Sequence, residues 1–471
     1  MAQPSLRPVP QQQHPQVQPV EFVEQALYEV RRAIYPRAVR GLFARWRWAM
    51  VWATQLVFYG SAWLQWNGRQ AVLFDIAHRK FYILGLVFWP QDIIYLTVLL
   101  IVSALSLFLF TAVAGRLWCG YACPQTVYTE IFMWIERKVE GDRNARMRLD
   151  KGSLTLKKFL VKAEKHGLWI GLALWTGFTF VGYFTPIREL GGEILALRTG
   201  PWETFWILFY GFATYGNAGW MREQVCTYMC PYARFQSAMF DKDTLIITYD
   251  KARGEPRGKN AGKGAAAGDC VDCSICVQVC PTGIDIRNGL QYQCIGCAAC
   301  IDGCDQVMEK VGKPKGLIRY STTHALEGGP TKVLRPRVLI YSAILLLIVA
   351  AAAVSLYLRV PLKVDVIRDR AAIAREVEGG EIENVYRLQI INTTEAPRTY
   401  RIGVEGLQDI HVASDDRVEL ESASGRLVPT RVRVDAGRAR LQPGSYTIYF
   451  TVRAEGEERE RVREKSIFIV R

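Results

Sequence analysis

Eight of the twelve cysteines in this 471-residue chain fall between residues 269 and 305, in two near-copies of one run. The first reads Cys270-x2-Cys273-x2-Cys276-x3-Cys280 and closes on Pro281; the second reads Cys294-x2-Cys297-x2-Cys300-x3-Cys304 and is followed by Asp305. Two-residue gaps let three sulfurs of one loop reach three irons of a cubane. In the bacterial two-cluster ferredoxin spacing the fourth cysteine of each run ligates the other cluster. The spacing therefore predicts two [4Fe–4S] clusters, one on Cys270, Cys273, Cys276 and Cys304, the other on Cys294, Cys297, Cys300 and Cys280. A zinc ribbon uses two C-x2-C pairs rather than two runs of four. A disulfide framework needs an oxidising compartment. Pro281 suits a sharp turn after the first run; Asp305 weakens that signal in the second without removing a ligand.

The other four cysteines form a second candidate site. Cys119 and Cys123 lie in Trp118-Cys-Gly-Tyr-Ala-Cys-Pro-Gln125, and Cys226 and Cys230 in Val225-Cys-Thr-Tyr-Met-Cys-Pro231. Both contain Cys-x-Tyr-x-Cys-Pro, and each follows the second of a pair of apolar spans, as in a duplicated helical hairpin. If the helix continues through a motif, its cysteines stand at i and i+4 on one face. Four thiolates from two such helices would converge on one ion, and soft thiolates select Cu(I), zinc or iron–sulfur. Buried packing cysteines and redox-active dithiols are the competing readings. Met229, between Cys226 and Cys230, could add a soft thioether, although a lone methionine more often packs.

These sites must be carried by apolar elements. Half of the chain is hydrophobic, and all 13 tryptophans lie between Trp46 and Trp220, as expected where a chain meets membrane interfaces. Five stretches read as transmembrane helices: 48–66, 93–114, 168–185, 202–218 and 338–358. Segments 1–47, 115–166 and 219–337 carry seven, eleven and sixteen Lys and Arg, against three in 67–92 and two in 186–201. That alternation predicts a cytoplasmic N-terminus and cysteine block and an outward-facing C-terminal region. The net charge of +14 is explained by these loops, because the chain from Arg359 onward holds 20 basic and 19 acidic residues. Nucleic acid is therefore not an expected partner. No signal-peptide pattern opens the chain, so the N-terminus is expected to stay in the cytoplasm.

The expected organisation is an α-helical membrane bundle with a cytoplasmic ferredoxin-like domain and an outer β-sandwich. Its parts are a partly disordered N-terminal segment 1–40, four membrane helices in 41–220, a ferredoxin-like domain in 221–337, a fifth helix in 338–360 and a periplasmic region 361–471. Residues 21–34 suit an amphipathic helix, and the Gly-, Ala- and Lys-rich 252–268 reads as a linker rather than a phosphate loop. In 361–471, apolar and polar residues alternate at 385–391, 399–404, 410–413, 418–420, 430–434, 446–453 and 466–470, the pattern of an immunoglobulin-like sandwich. None of the five histidines falls within a span, which argues against bis-histidine heme. No Gly-x-Gly-x-x-Gly joins a strand to a helix, so electrons must come from an unidentified donor, another protein or a small membrane reductant.

The order of these parts resembles the CcoG/FixG/RdxA family. The resemblance rests on the Trp118–Gln125 motif, the Cys226/Cys230 motif, the double cysteine run and Gly316-Leu-Ile-Arg-Tyr-Ser-Thr322, and it covers nearly the whole chain. It implies reduction of Cu(II) to Cu(I) during assembly of cbb(3)-type cytochrome c oxidase, with oxidase-assembly proteins or copper chaperones as partners. It also implies that the eight cysteines Cys270 to Cys304 hold the clusters and that Cys119, Cys123, Cys226 and Cys230 take copper. NapH- and NosR-type proteins share the membrane part and the cysteine runs. A quinol-linked electron conduit is therefore the alternative, and a non-catalytic docking factor for oxidase assembly is the third reading.

Overall fold

The computed structural model describes residues 33–258, 268–369, 374–377, 379–435, 437, 441–457 and 460–470. The segment 1–20, the amphipathic stretch up to residue 32 and linker residues 259–267 lie outside that set.

Long helices occur near all five expected spans: Leu42–Ser61, Ile93–Ala114, Leu156–Val181, Pro201–Thr214 and Pro336–Tyr357. Among the described residues, however, only Pro90–Ala114 and Pro336–Tyr357 are long and apolar enough to cross a membrane. Length and apolar composition thus support two of the five expected spans. Leu42–Ser61 opens with Arg45 and Arg47. Leu156–Val181 carries Lys157, Lys158, Lys162, Glu164 and Lys165 in its first half. Pro201–Thr214 has 14 residues, about 21 Å of helix, before it widens into π-helical turns at Tyr215–Met221.

Short polar contacts fix where the helices start. Thr155 caps Leu156–Val181 by accepting from the Lys158 N–H (3.2 Å). The carboxylate of Asp302, in the cysteine-rich region, accepts from the N–H groups of Phe43 (3.2 Å) and Ala44 (2.7 Å) at the start of Leu42–Ser61. That helix is thereby tied to the cluster region by its positive end.

A segment read from sequence as loop folds as a three-stranded antiparallel sheet, Val72–Asp75, Lys80–Ile83 and Leu86–Phe88. It lies beside the C-terminal region. Glu395 accepts from Trp66 Nε1 (3.1 Å), from Asn67 and from Arg69. Buried Asp92 pairs with Arg359 (2.8 Å) and Lys363.

The C-terminal region is a two-sheet antiparallel sandwich. One sheet runs His411–Val412, Gly425–Asp435, Glu381–Asn392, Leu362–Arg368, with Arg375–Val377 also paired to Glu381–Asn392. The other runs Arg417–Leu420, Arg398–Glu405, Gly444–Ala454, Arg461–Val470. Alternation explains the core: Ile448, Phe450 and Val452 point inward and are fully buried, while Thr447 faces solvent. Tyr386 meets Phe450 edge-on across the sheets with ring centroids 4.9 Å apart. The strands Leu362–Arg368 and Arg375–Val377 were not anticipated from sequence.

Candidate metal centres

The two cysteine runs lie against a two-stranded ribbon in which Ile246–Tyr249 pairs with Ile318–Ser321. Ile247, Leu317, Ile318, Ile301 and Met308 are buried together with Cys270, Cys276 and Cys304. Each run turns at the same place. The residue after its second cysteine, Ser274 or Ala298, is left-handed (φ 54° and 58°) and opens a helix, the short Ile275–Gln278 bearing Cys276 or the longer Ala299–Lys310 bearing Cys300 and Cys304. Left-handed non-glycine residues are uncommon and need local support, so their recurrence marks a shared loop geometry.

Two cavities result. One is lined by Cys270, Cys273, Cys276 and Cys304. The other is lined by Cys280, Cys294, Cys297 and Cys300, with Cys276 on its wall. Each gathers three thiols of one run with the fourth of the other, a donor set that fits a [4Fe–4S] cluster. Burial pushes the Cys276 thiol up to about 11 and those of Cys294 and Cys304 up to about 12. Such groups carry thiolate charge at neutral pH when a metal stabilises it.

The membrane-side cysteines do not ride on continuous helices, so the i, i+4 arrangement does not form. Cys119 sits in the short helix Leu117–Tyr121, and Cys123 is extended (ψ 128°) as the cap of Pro124–Val139. Cys226 sits in the π-helical turn Val225–Met229, and Cys230 (ψ 108°) caps Pro231–Met239. The cause is Pro124 and Pro231, since a residue before proline is pushed out of the helical region. The four thiols lie near enough that each feels the charge of the other three. Cys119 Sγ donates to Gln236 Oε1 (3.3 Å). Burial, with the neighbouring thiols adding to it, lifts Cys119 to about 11 and Cys226 to about 12. Among the described residues, no three His, Cys, Asp or Glu side chains close on a single metal ion.

Cys119 and Cys226 pack on Val279, Ile295, Cys297 and Ala299, the last three of which line the second cluster cavity. Cys226 and Cys297 also share a polar cavity with Arg47, Glu130, Arg137, Arg222 and Glu223. Sequence reasoning missed four residues that frame this junction. Arg116 and Arg47 donate to the carbonyls of Cys294 (3.2 Å) and Cys297 (2.6 Å). Tyr320 donates to Gly296 O (2.6 Å), and Gln236 holds Cys119. Two signals were available for the arginines: Arg116 stands just before the first motif, and Arg47 lies at the edge of an apolar stretch where a cation needs a partner.

Residues 352–471 match a family model described as an Ig-like fold at the C-terminus of FixG, residues 221–323 a 4Fe-4S dicluster domain, and residues 96–140 a 4Fe-4S binding domain. The chain is 40% identical over 422 residues to the nitrogen fixation protein FixG of Rhizobium meliloti, covering 81% of this chain and 80% of that protein. It is 37% identical over 423 residues to protein RdxA of Cereibacter sphaeroides, covering 86% and 88%. The ferredoxin-type protein NapH of Haemophilus influenzae is 27% identical over 233 residues, covering 46% of this chain and 68% of NapH. The crystal structure of a FixG-related protein from Vibrio parahaemolyticus aligns with 23% of this chain and 95% of its own, at 27% identity and a TM-score of 0.20.

Proposed function

This chain belongs to the FixG/RdxA family of iron–sulfur electron-transfer proteins, and we propose that it reduces Cu(II) to Cu(I) at the four membrane-side thiols. The observation that carries this reading is the packing of Cys119 and Cys226 on the wall of the cavity lined by Cys280, Cys294, Cys297 and Cys300. When bound, the clusters supply one-electron carriers at low potential. Thiolates favour Cu(I) over Cu(II), so Cys119, Cys123, Cys226 and Cys230 would raise the copper potential and make transfer to it downhill. Copper here is substrate, and the thiols need close on it only while it is bound. The product suits delivery, through copper chaperones, to the assembly of a cbb(3)-type cytochrome c oxidase.

The proposed setting is the bacterial inner membrane, crossed by Ile93–Ala114 and Pro336–Tyr357, with Leu42–Ser61 and Leu156–Val181 running between the same two sides, from the cluster region to the sandwich and the 72–88 sheet. The cluster region then faces the cytoplasm, where thiols stay reduced. The sandwich faces the periplasm, on the same side as the segments that flank the 72–88 sheet, which it touches at Trp66 and Asp92.

Exchanging Cys226 and Cys230 together for serine tests the site. Iron content and cluster absorbance should persist while copper binding and Cu(I) formation fall. Loss of the clusters would make these residues cluster ligands instead. The likeness to NapH favours one other reading, a quinol-linked conduit. Cluster oxidation by quinone analogues, with no response to copper, would select it.

A further inference from the structure

Two buried arginines stand at the second cluster site and hold its ligand-bearing loop. Arg116 is 6% exposed and its guanidinium donates to the carbonyls of Cys294 (3.2 Å), Tyr292 and Ala233. Arg47 is 7% exposed and donates to the carbonyl of Cys297 (2.6 Å). Both cations therefore end on one ligand-bearing loop. The nearby carboxylates are committed elsewhere: Asp302 accepts from Phe43 and Ala44, and Glu130 pairs with Arg137 (3.4 Å). Among the described residues, neither arginine has a carboxylate in ion-pair contact, and Arg116 Nε has no hydrogen-bond partner.

At the first site the cations are cancelled. Arg287 pairs with Asp285 (2.7 Å) and Asp272 (2.5 Å). Lys313 and Arg253 share Asp269 (2.7 and 2.6 Å). Asp305 follows Cys304, and Cys273 is exposed to water that screens any remaining field.

We propose that Arg47 and Arg116 are positioning residues that make the thiol set Cys280, Cys294, Cys297 and Cys300 the more readily reduced of the two cluster sites. Reduction adds one negative charge, and a fixed cation in a low-dielectric setting stabilises it more than a screened or paired one. Burial of the second site acts the other way, because it disfavours added charge. Two unpaired cations on the ligand loop outweigh it. The added electron is thereby held at the site that touches Cys119 and Cys226 rather than at the exposed Cys273. This inference rests on the iron–sulfur reading and not on copper as the acceptor.

The test is electron paramagnetic resonance on the full, cluster-loaded protein reduced by one electron equivalent, with and without a water-soluble paramagnetic lanthanide chelate. The site at exposed Cys273 should be broadened by the chelate; the site beside Arg47 and Arg116 should not. The expected first signal is insensitive to the chelate, and a sensitive one grows with the second equivalent. A chelate-sensitive first signal overturns the proposal. Arg116→Gln and Arg47→Gln should each shift the reduced population roughly tenfold toward the sensitive signal, whereas Arg116→Lys should hold it near wild type. Iron-replete Gln variants with no shift also overturn it. If a Gln variant loses iron, the wild-type measurement decides alone. The predicted order without Cu(I) formation would sink the copper reading and leave this one standing.

Discussion

Gly120 lies flat against Cys297: a Cβ at position 120 would stand 2.8 Å from both the backbone N and the Cα of Cys297. The loop bearing Cys119 and the loop of the second cysteine run are thus in backbone contact. Neither partner is a side-chain tip that can swing aside. Gly120→Ala should force the loops apart at a cost of about 1–3 kcal/mol. Iron analysis should show loss at the second site with the first retained. Full iron content and an unchanged melting temperature would mean that the contact is not tight.

Glu136 is buried between Arg146 (2.8 Å) and Arg222 (2.5 Å), and Arg222 shares a cavity wall with Cys226. Removing one partner of such a group strands buried charge. Glu136→Ala should destabilise the protein by about 3–5 kcal/mol in denaturant titration. It should weaken copper binding before it affects iron content.

The sandwich has its own core, so damage to it should leave the metal sites alone. Phe450→Ala should cost about 3–5 kcal/mol. Calorimetry should show a lowered transition for this region while the cluster absorbance stays at the wild-type level.

Glu383 is fully buried and bonded to Arg375 Nε (2.8 Å) and Arg433 Nε (2.7 Å). Burial alone would raise its carboxyl, but the two arginines outweigh that and hold it below the ordinary value. A depressed carboxyl contributes stability above its unfolded value of about 4.3 and loses it as pH falls through the folded value. The sandwich should therefore weaken below about pH 4.3, and Glu383→Gln should flatten that dependence in acid melting curves.

The cysteine groups lining the two cavities were legible because their information is local: spacing alone groups Cys270, Cys273 and Cys276, and only the fourth thiol of each cavity comes from afar. The strands around Phe450 were legible by alternation. Leu362–Arg368 alternates too, but it follows the apolar helix so closely that Pro361 is the only turn residue between them. The 72–88 sheet hid for another reason. Its strands are three or four residues long and are held by contacts distant in sequence, such as the Phe74 N–H on Tyr183 O (2.7 Å). Three of the five expected spans lack support from length and apolarity because a window of apolar residues ignores where charges at a helix end go. Arg47 is spent on Cys297, and Lys162 and Lys165 on Glu140 (2.8 and 3.0 Å). The broken motif helices were announced by Pro124 and Pro231, and the i, i+4 reading gave them too little weight.

The most direct measurement is anaerobic stopped-flow on purified protein whose clusters have been reduced and freed of excess reductant, mixed with Cu(II) and a Cu(I)-specific chelator. The account predicts that the oxidised cluster absorbance returns while Cu(I) appears in equal electron equivalents, and that the Cys226→Ser, Cys230→Ser protein does this far more slowly. Clusters that stay reduced in the presence of Cu(II) would contradict it.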